Sequence, residues 1–181
     1  MASGSVKDAA ALITDGHSCA LPAPCPPAIA LCLILNPPAM TYATITHSAE
    51  ETIAFGRSLA ADLSPPLVVL LRGDLGAGKT TLVKGIAEGF EAARAEDVTS
   101  PTFTLIHEYR GPRATLYHID LYRIDTLREL ETLGLEDLLA PNCILLVEWG
   151  DKFPRLQHDQ EITLERVGEN ERKIQRIMSF R

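Results

Sequence analysis

The sequence predicts an α/β fold with a mostly parallel central sheet, helices on its faces and an antiparallel hairpin at the C-terminal end. Two wholly apolar runs, residues 67–71 and 144–147, have the composition of strands that are buried on both faces. Residues 161–167 and 173–178 flank a turn at 168–170, which indicates the hairpin. With 181 residues, 46% of them apolar and 23% charged, the chain has the composition of one water-soluble globular domain.

The remaining elements follow from local signals in chain order. Ser48 and Glu51 have the spacing of a capping box, and the apolar stripe behind them predicts a helix over 49–63. Leucine, valine, isoleucine and phenylalanine at helical spacing over 82–90 predict a second helix directly after the first apolar strand. Further strands are expected at 102–109 and 115–121, and a leucine-rich helix at 127–139. This last helix is either a partner contact or an amphipathic core helix.

The first forty residues differ in composition from the rest. Residues 1–38 hold three charged side chains and six prolines, and their longest apolar run, 28–35, is far shorter than the roughly 20 residues of a membrane span. We interpret 1–40 as a disordered or dispensable extension and 41–181 as the folded domain. Four unevenly spaced cysteines without C-x-x-C pairs are typical of reduced thiols, so we expect a cytoplasmic protein without membrane association.

A glycine-rich motif follows the first apolar strand. It reads Gly73-Asp74-Leu75-Gly76-Ala77-Gly78-Lys79-Thr80 and satisfies G-x-x-x-x-G-K-[ST] between a strand and a helix. Backbone N–H groups of such a loop surround phosphate oxygens, and the helix N-terminus adds a positive dipole end. The motif predicts a P-loop NTPase-type domain, in which Lys79 reaches the β and γ phosphates, Thr80 binds Mg²⁺ and Thr81 donates to the α phosphate. No N-K-x-D motif for guanine is present, which favours ATP.

Such a loop needs a carboxylate across the site, usually at the end of an apolar strand. Glu148 ends one such run and Asp120 ends another, so both are candidates. His118 lies on the same side of its strand as Asp120 and is expected to pack or to form a hydrogen bond. Trp149, the one tryptophan of the chain, fits a nucleotide pocket and a core position equally well.

These motifs together resemble the TsaE family, the small bacterial ATPases of tRNA threonylcarbamoyladenosine synthesis. The resemblance rests on the phosphate loop 73–81, on the segment T-S-P-T-F-T at 99–104, on Y-H-I-D-L-Y-R at 117–123, and on V-E-W at 147–149, with Glu131 and Gly134 in an E-x-x-G segment. It covers residues 41–151 strongly and the terminal hairpin loosely.

The resemblance implies a Mg²⁺-dependent ATPase that works with TsaB- and TsaD-type partners and meets tRNA indirectly, through their complex. By the family pattern, Thr80 and Glu148 hold Mg²⁺, the loop binds phosphates, and Thr46 lies near the nucleotide. Asp120 assists hydrolysis, together with Lys79 and Glu148 as catalytic groups. Residues 100–102 are a switch-type segment that senses the γ phosphate, or else only shape the start of a strand.

Two functions of other classes are also compatible with this sequence. The same loop serves small-molecule kinases, although no lid-sized insertion is evident between Thr81 and Asp151. A non-catalytic nucleotide switch that assembles partners is the other alternative. The net charge of −7 provides no broad basic surface for nucleic acid, so weak binding of free tRNA by the isolated chain is expected.

Overall fold

A computed structural model describes residues 40–178 of the chain. The hypothesis of a dispensable extension over 1–40 therefore lies outside the described residues, except that Met40 opens the first strand. The thiols of Cys19, Cys25 and Cys32 also lie outside them. Cys143 is a free, buried cysteine within the described part.

Seven strands form one sheet in the order β1-β7-β6-β2-β5-β4-β3. Their bounds are β1 Met40–Thr46, β2 Leu67–Arg72, β3 Ile106–Arg110, β4 Thr115–Asp120, β5 Cys143–Glu148, β6 Gln160–Arg166 and β7 Arg172–Met178. The four inner strands β6, β2, β5 and β4 are mutually parallel, whereas β1, β7 and β3 pair antiparallel to their neighbours. The predicted α/β class, the parallel centre and the C-terminal hairpin β6–β7 are confirmed.

One face of the sheet is covered by α1 (Ala49–Leu59) and α2 (Lys79–Gly89). The two helices cross at glycines, since a Cβ on Gly56 would lie 2.5 Å from the carbonyl oxygen of Leu82, and a Cβ on Gly85 would lie 2.0 Å from that of Ile53. This close approach brings both helices down onto the buried side chains of β2 and β5. It fixes the direction in which α2 leaves the glycine loop.

The other face carries α3 (Leu127–Thr132) and α4 (Leu135–Leu138) where the sequence predicts one helix over 127–139. The prediction of a single helix is wrong, because Gly134 between α3 and α4 adopts a left-handed conformation with a φ of 60°. Thr126 and Glu129 form a complete capping box that starts α3. Within residues 40–178 no helix combines the length and the apolar character that a bilayer crossing requires.

Three other local predictions need correction. The first helix ends at Leu59 and not at residue 63. Ser48 accepts from the N–H of Glu51 as expected, but the Glu51 carboxylate accepts from the N–H of His47, so the predicted box is only half formed. The strand predicted to begin at residue 102 begins at Ile106, because residues 101–105 form a turn closed by the Leu105 N–H and the carbonyl of Pro101, with Leu105 at a φ of 67°.

Candidate functional site

The predicted site residues meet at the carboxyl ends of three neighbouring parallel strands. β2 runs directly into the glycine loop, β5 ends at Glu148 and β4 ends at Asp120. In the strand register Glu148 lies opposite Leu71 on one side and opposite Asp120 on the other. The two carboxylates that the sequence left as alternatives are therefore neighbours, and both lie beside the loop.

The loop has a backbone conformation that depends on glycine. Gly73, Gly76 and Gly78 have φ values of 142°, 78° and 103°, a region that side chains with a Cβ rarely adopt. At Gly73 a Cβ would also lie 2.3 Å from the carbonyl oxygen of Leu164 on β6. Residues 74–76 are exposed while Ala77 is buried, so the loop is anchored at its end and open to solvent at its crest.

Lys79 closes across this loop from the first turn of α2. Its Nζ donates to the carbonyl oxygens of Gly73 at 2.7 Å and Asp74 at 3.0 Å, and the residue is only 4% exposed. Burial lowers the pKa of the Lys79 ammonium, and the negative charges of Glu148 and Asp120 oppose that shift. A buried ammonium on a flexible stem, hydrogen-bonded to neutral carbonyls of its own loop, is a group that an anion can attract.

Thr80 and Glu148, the predicted metal ligands, are in direct contact. The Thr80 hydroxyl donates to Glu148 Oε1 at 3.0 Å, and Glu148 is 4% exposed. The same Oε1 lies 2.8 Å from Nε2 of His118, a fully buried residue of β4. Glu148 Oε2 lies 4.0 Å from the Lys79 ammonium. The carboxylate thus joins the α2 terminus, the end of β5 and the middle of β4.

Asp120 holds the segment that the sequence suggests as a switch. Its Oδ2 accepts from the hydroxyls of Ser100 at 3.1 Å and Thr102 at 2.6 Å, and its Oδ1 accepts from the N–H of Tyr122 at 2.9 Å. The backbone N–H of Asp120 also donates to the carbonyl of Leu105. Residues 100–105 are therefore attached to the end of β4 by both side-chain and backbone hydrogen bonds.

Trp149 follows Glu148 with a φ of 62°, an uncommon backbone conformation for a bulky residue. Its ring lies under the Lys79 ammonium at 4.2 Å and beside the Tyr122 ring at 5.2 Å between centroids. The side chain is half-buried. The ring therefore borders the loop and also packs against the hydrophobic cluster on the α3–α4 face of the sheet.

Within residues 40–178, the side chains of two further predicted residues, Thr46 and Thr81, form no hydrogen bond with the loop. The Thr46 hydroxyl contacts the Thr52 hydroxyl at 2.8 Å and the carbonyl oxygen of Arg172 at 3.4 Å. Thr81 is half-buried in the first turn of α2.

Two residues near the site were missed or undervalued by sequence reasoning. Arg172 begins β7, and a Cβ on Gly78 would lie 3.7 Å from its Nε, so its side chain borders the loop. No local pattern marks it, because only the pairing of β7 with β6 and β1 brings it there. His118 was expected only to pack or to form a hydrogen bond, and the identity of its partner depends on the β4–β5 register.

A parallel sheet whose first inner strand leads through a glycine-rich loop into a helix, with a lysine and a threonine at the helix start, defines the P-loop class of nucleotide-binding folds. The solved structure of Bacillus subtilis YdiB has this fold: it is 34% identical, covers 78% of this chain and 88% of its own, and superposes with a TM-score of 0.63.

The sequence comparisons agree with one another. The family model described as "Threonylcarbamoyl adenosine biosynthesis protein TsaE" matches residues 46–176. Relatives named "tRNA threonylcarbamoyladenosine biosynthesis protein TsaE" include one from Bacillus subtilis, 43% identical over 71% of this chain and 80% of its own length, and one from Rickettsia bellii, 42% identical over 62% and 77%. The chain belongs to the TsaE family.

Proposed function

We propose that this protein is a Mg²⁺-dependent ATPase that supports threonylcarbamoyladenosine formation in ANN-reading tRNAs, together with TsaB- and TsaD-type partners. The relatives' names supply the pathway. The observation that carries the ATPase proposal is the contact of Thr80 with Glu148 at 3.0 Å, beside the buried Lys79 and the end of a glycine loop.

The residues present fit Mg²⁺ and a nucleotide phosphate chain. Mg²⁺ takes oxygen ligands, usually few from the protein and the rest from phosphates and water. Thr80 and Glu148 offer a hydroxyl and a carboxylate within one hydrogen bond of each other. The loop offers backbone N–H groups and the N-terminal end of α2, which favour anions.

In this proposal each residue has a distinct task. Lys79 leaves the carbonyls of Gly73 and Asp74 to pair with the phosphates, while Thr80 and Glu148 hold Mg²⁺, which when bound neutralises charge that develops on the phosphate oxygens. Because the Thr80 hydroxyl has lone pairs as well as a proton, it can ligate a cation and still donate to Glu148. Because its glycines have no side chains, the loop leaves space for the phosphates next to its backbone.

Asp120 is the proposed hydrolytic residue. Its carboxylate is 2% exposed and accepts from Ser100, Thr102 and Tyr122, so it is held in place before any substrate arrives. A carboxylate in this position can orient a water molecule or accept its proton. Ser100 and Thr102, which share one oxygen of Asp120, would exchange that bond for contacts with the terminal phosphate.

The charge balance supports an indirect encounter with tRNA. The chain carries 24 acidic and 17 basic side chains, and wide direct contact with a polyanion needs many basic ones. We therefore propose that the partners bind the tRNA. A gel-shift titration of the isolated chain with unmodified tRNA at low salt should give weak binding; tight, salt-sensitive binding would contradict this part.

The decisive experiment is reconstitution from purified components. ATP hydrolysis is measured for the chain alone and with TsaB- and TsaD-type partners plus unmodified tRNA, while the modified nucleoside is quantified over many turnovers. The proposal expects product beyond one equivalent of enzyme only when both this chain and hydrolysable ATP are present. If the chain binds ATP but the amount of modified nucleoside does not depend on the chain, a kinase or nucleotide-switch function would replace the proposed one.

A further inference from the structure

From the neighbouring strand β4, His118 contacts the carboxylate of Glu148, the candidate metal ligand. It is fully buried in β4, where its register partner on β5 is Leu146, two residues before Glu148. Its Nε2 lies 2.8 Å from Glu148 Oε1. Its other ring nitrogen, Nδ1, is buried without a hydrogen-bond partner among residues 40–178.

The contact with Glu148 decides which ring nitrogen of the imidazole must carry a proton. Glu148 Oε1 belongs to a carboxylate and accepts, so Nε2 carries the proton and donates. The contact therefore needs a proton on Nε2, while Nδ1 makes no hydrogen bond within residues 40–178.

The contact also decides which carboxylate oxygen faces the site. Oε1 receives two donors, the His118 Nε2–H and the Thr80 hydroxyl, and is thereby saturated. Oε2 receives neither of them and lies 4.0 Å from the Lys79 ammonium, on the side of the loop. The two hydrogen bonds therefore leave one oxygen of the carboxylate directed towards the phosphate loop.

We infer that His118 is a positioning residue that holds the Glu148 carboxylate in its metal-binding orientation. The inference rests on the proposed function, because it gives a role to the site at which Mg²⁺ is proposed to bind. Hydrogen bonds from a second layer of residues commonly change metal affinity by about 10- to 100-fold. The effect is on Mg²⁺ binding, not on the affinity of the loop for the nucleotide itself.

The test compares His118→Leu and His118→Gln with the wild-type full-length chain. A leucine removes the donor at similar bulk, whereas the glutamine amide nitrogen restores a donor near the position of Nε2. His107→Leu is the matched control, because His107 lies opposite His118 on β3 and contacts Tyr109 instead of Glu148. ADP binding is measured by calorimetry in EDTA and over a range of Mg²⁺ concentrations, with circular dichroism to verify folding.

We expect the Mg²⁺ concentration for half-maximal enhancement of ADP binding to rise about 10-fold or more in His118→Leu. It should return to near the wild-type value in His118→Gln and stay there in His107→Leu, and ADP affinity in EDTA should be equal in all four. An unchanged Mg²⁺ midpoint in folded His118→Leu overturns the inference while the proposed function stands. A wild-type chain that binds no ADP, or binds it without regard to Mg²⁺, overturns the proposed function and with it this inference.

A second measurement does not depend on variants that fold. Long-range ¹H–¹⁵N NMR spectra of the wild-type chain, labelled on histidine and without ligands, distinguish the two tautomers. The inference expects a proton on Nε2 of His118. A ring protonated on Nδ1 alone would mean that Nε2 cannot donate to Glu148, and the positioning role would be wrong.

Discussion

Replacing Asp120 with asparagine separates the proposed hydrolytic role from a structural one. Asparagine keeps an acceptor for the Tyr122 N–H, but an amide group takes the place of the oxygen that accepts from Ser100 and Thr102. Both hydroxyls can rotate to accept from that amide, so much of the hydrogen bonding survives. We expect the free energy of unfolding to fall by about 1 to 3 kcal/mol, the cost of weakening charge-assisted bonds to a buried group.

The effect on catalysis should be much larger. A general base or a water-orienting carboxylate contributes about 10²- to 10⁴-fold, which corresponds to about 3 to 5 kcal/mol of activation free energy. ADP affinity should be unchanged or slightly tighter, because the contacts of the Asp120 side chain are with residues 100, 102 and 122 and its negative charge opposes phosphate binding. For Asp120→Asn we therefore predict a lower kcat without weaker ADP binding.

The assay is single-turnover and steady-state ATP hydrolysis in the presence of both partners and tRNA, with calorimetry for ADP and urea unfolding for stability. Asp137→Asn, an exposed aspartate of α4, is the matched control and should behave as wild type. If the folded Asp120→Asn chain hydrolyses ATP at the wild-type rate, the reasoning is refuted and Asp120 only anchors residues 100–105.

Three further changes test the loop, the helix crossing and an ion pair. Lys79→Ala should weaken ADP binding by about 100-fold in calorimetry, whereas Lys84→Ala, farther along α2, should not. Gly85→Ala should lower the free energy of unfolding in urea by about 2 kcal/mol, because its Cβ would collide with backbone; equal or greater stability would contradict the close crossing. Glu88→Gln removes the negative charge that pairs with Arg57 and should cost about 0.5 kcal/mol at pH 7. The hydrogen bond from Arg57 lowers the pKa of Glu88 below its ordinary value of 4.5, so this contribution is complete above pH 4.5 and disappears as the pH falls through the lowered value. If the difference in unfolding free energy between the wild type and Glu88→Gln persists at pH 2, the ion pair is not the source of that difference.

Sequence patterns predicted the parts of this fold that depend on local chemistry. The two apolar strands, the glycine loop and the helix after it are encoded by neighbouring residues, and all are present at the predicted positions. Because parallel strands end at the same edge of a sheet, the candidates Asp120 and Glu148 were predictable as members of one site.

Features that depend on long-range pairing or on single backbone angles were not predictable. β1 is a strand because β7, more than a hundred residues later, pairs with it. The turn at 101–105 and the break between α3 and α4 depend on left-handed conformations at Leu105 and Gly134, and a leucine gives no warning of one. The contact of His118 with Glu148 joins residues 30 positions apart and follows from strand register alone.

The position of Trp149 has a practical consequence for anyone who studies this protein in solution. It is the one tryptophan among 181 residues, and its indole ring lies 4.2 Å from the Lys79 ammonium. Intrinsic tryptophan emission therefore originates from a single point beside the phosphate loop. Any ligand that draws the ammonium away from the ring alters the surroundings of that fluorophore, so the unlabelled chain carries its own optical reporter of what the loop binds.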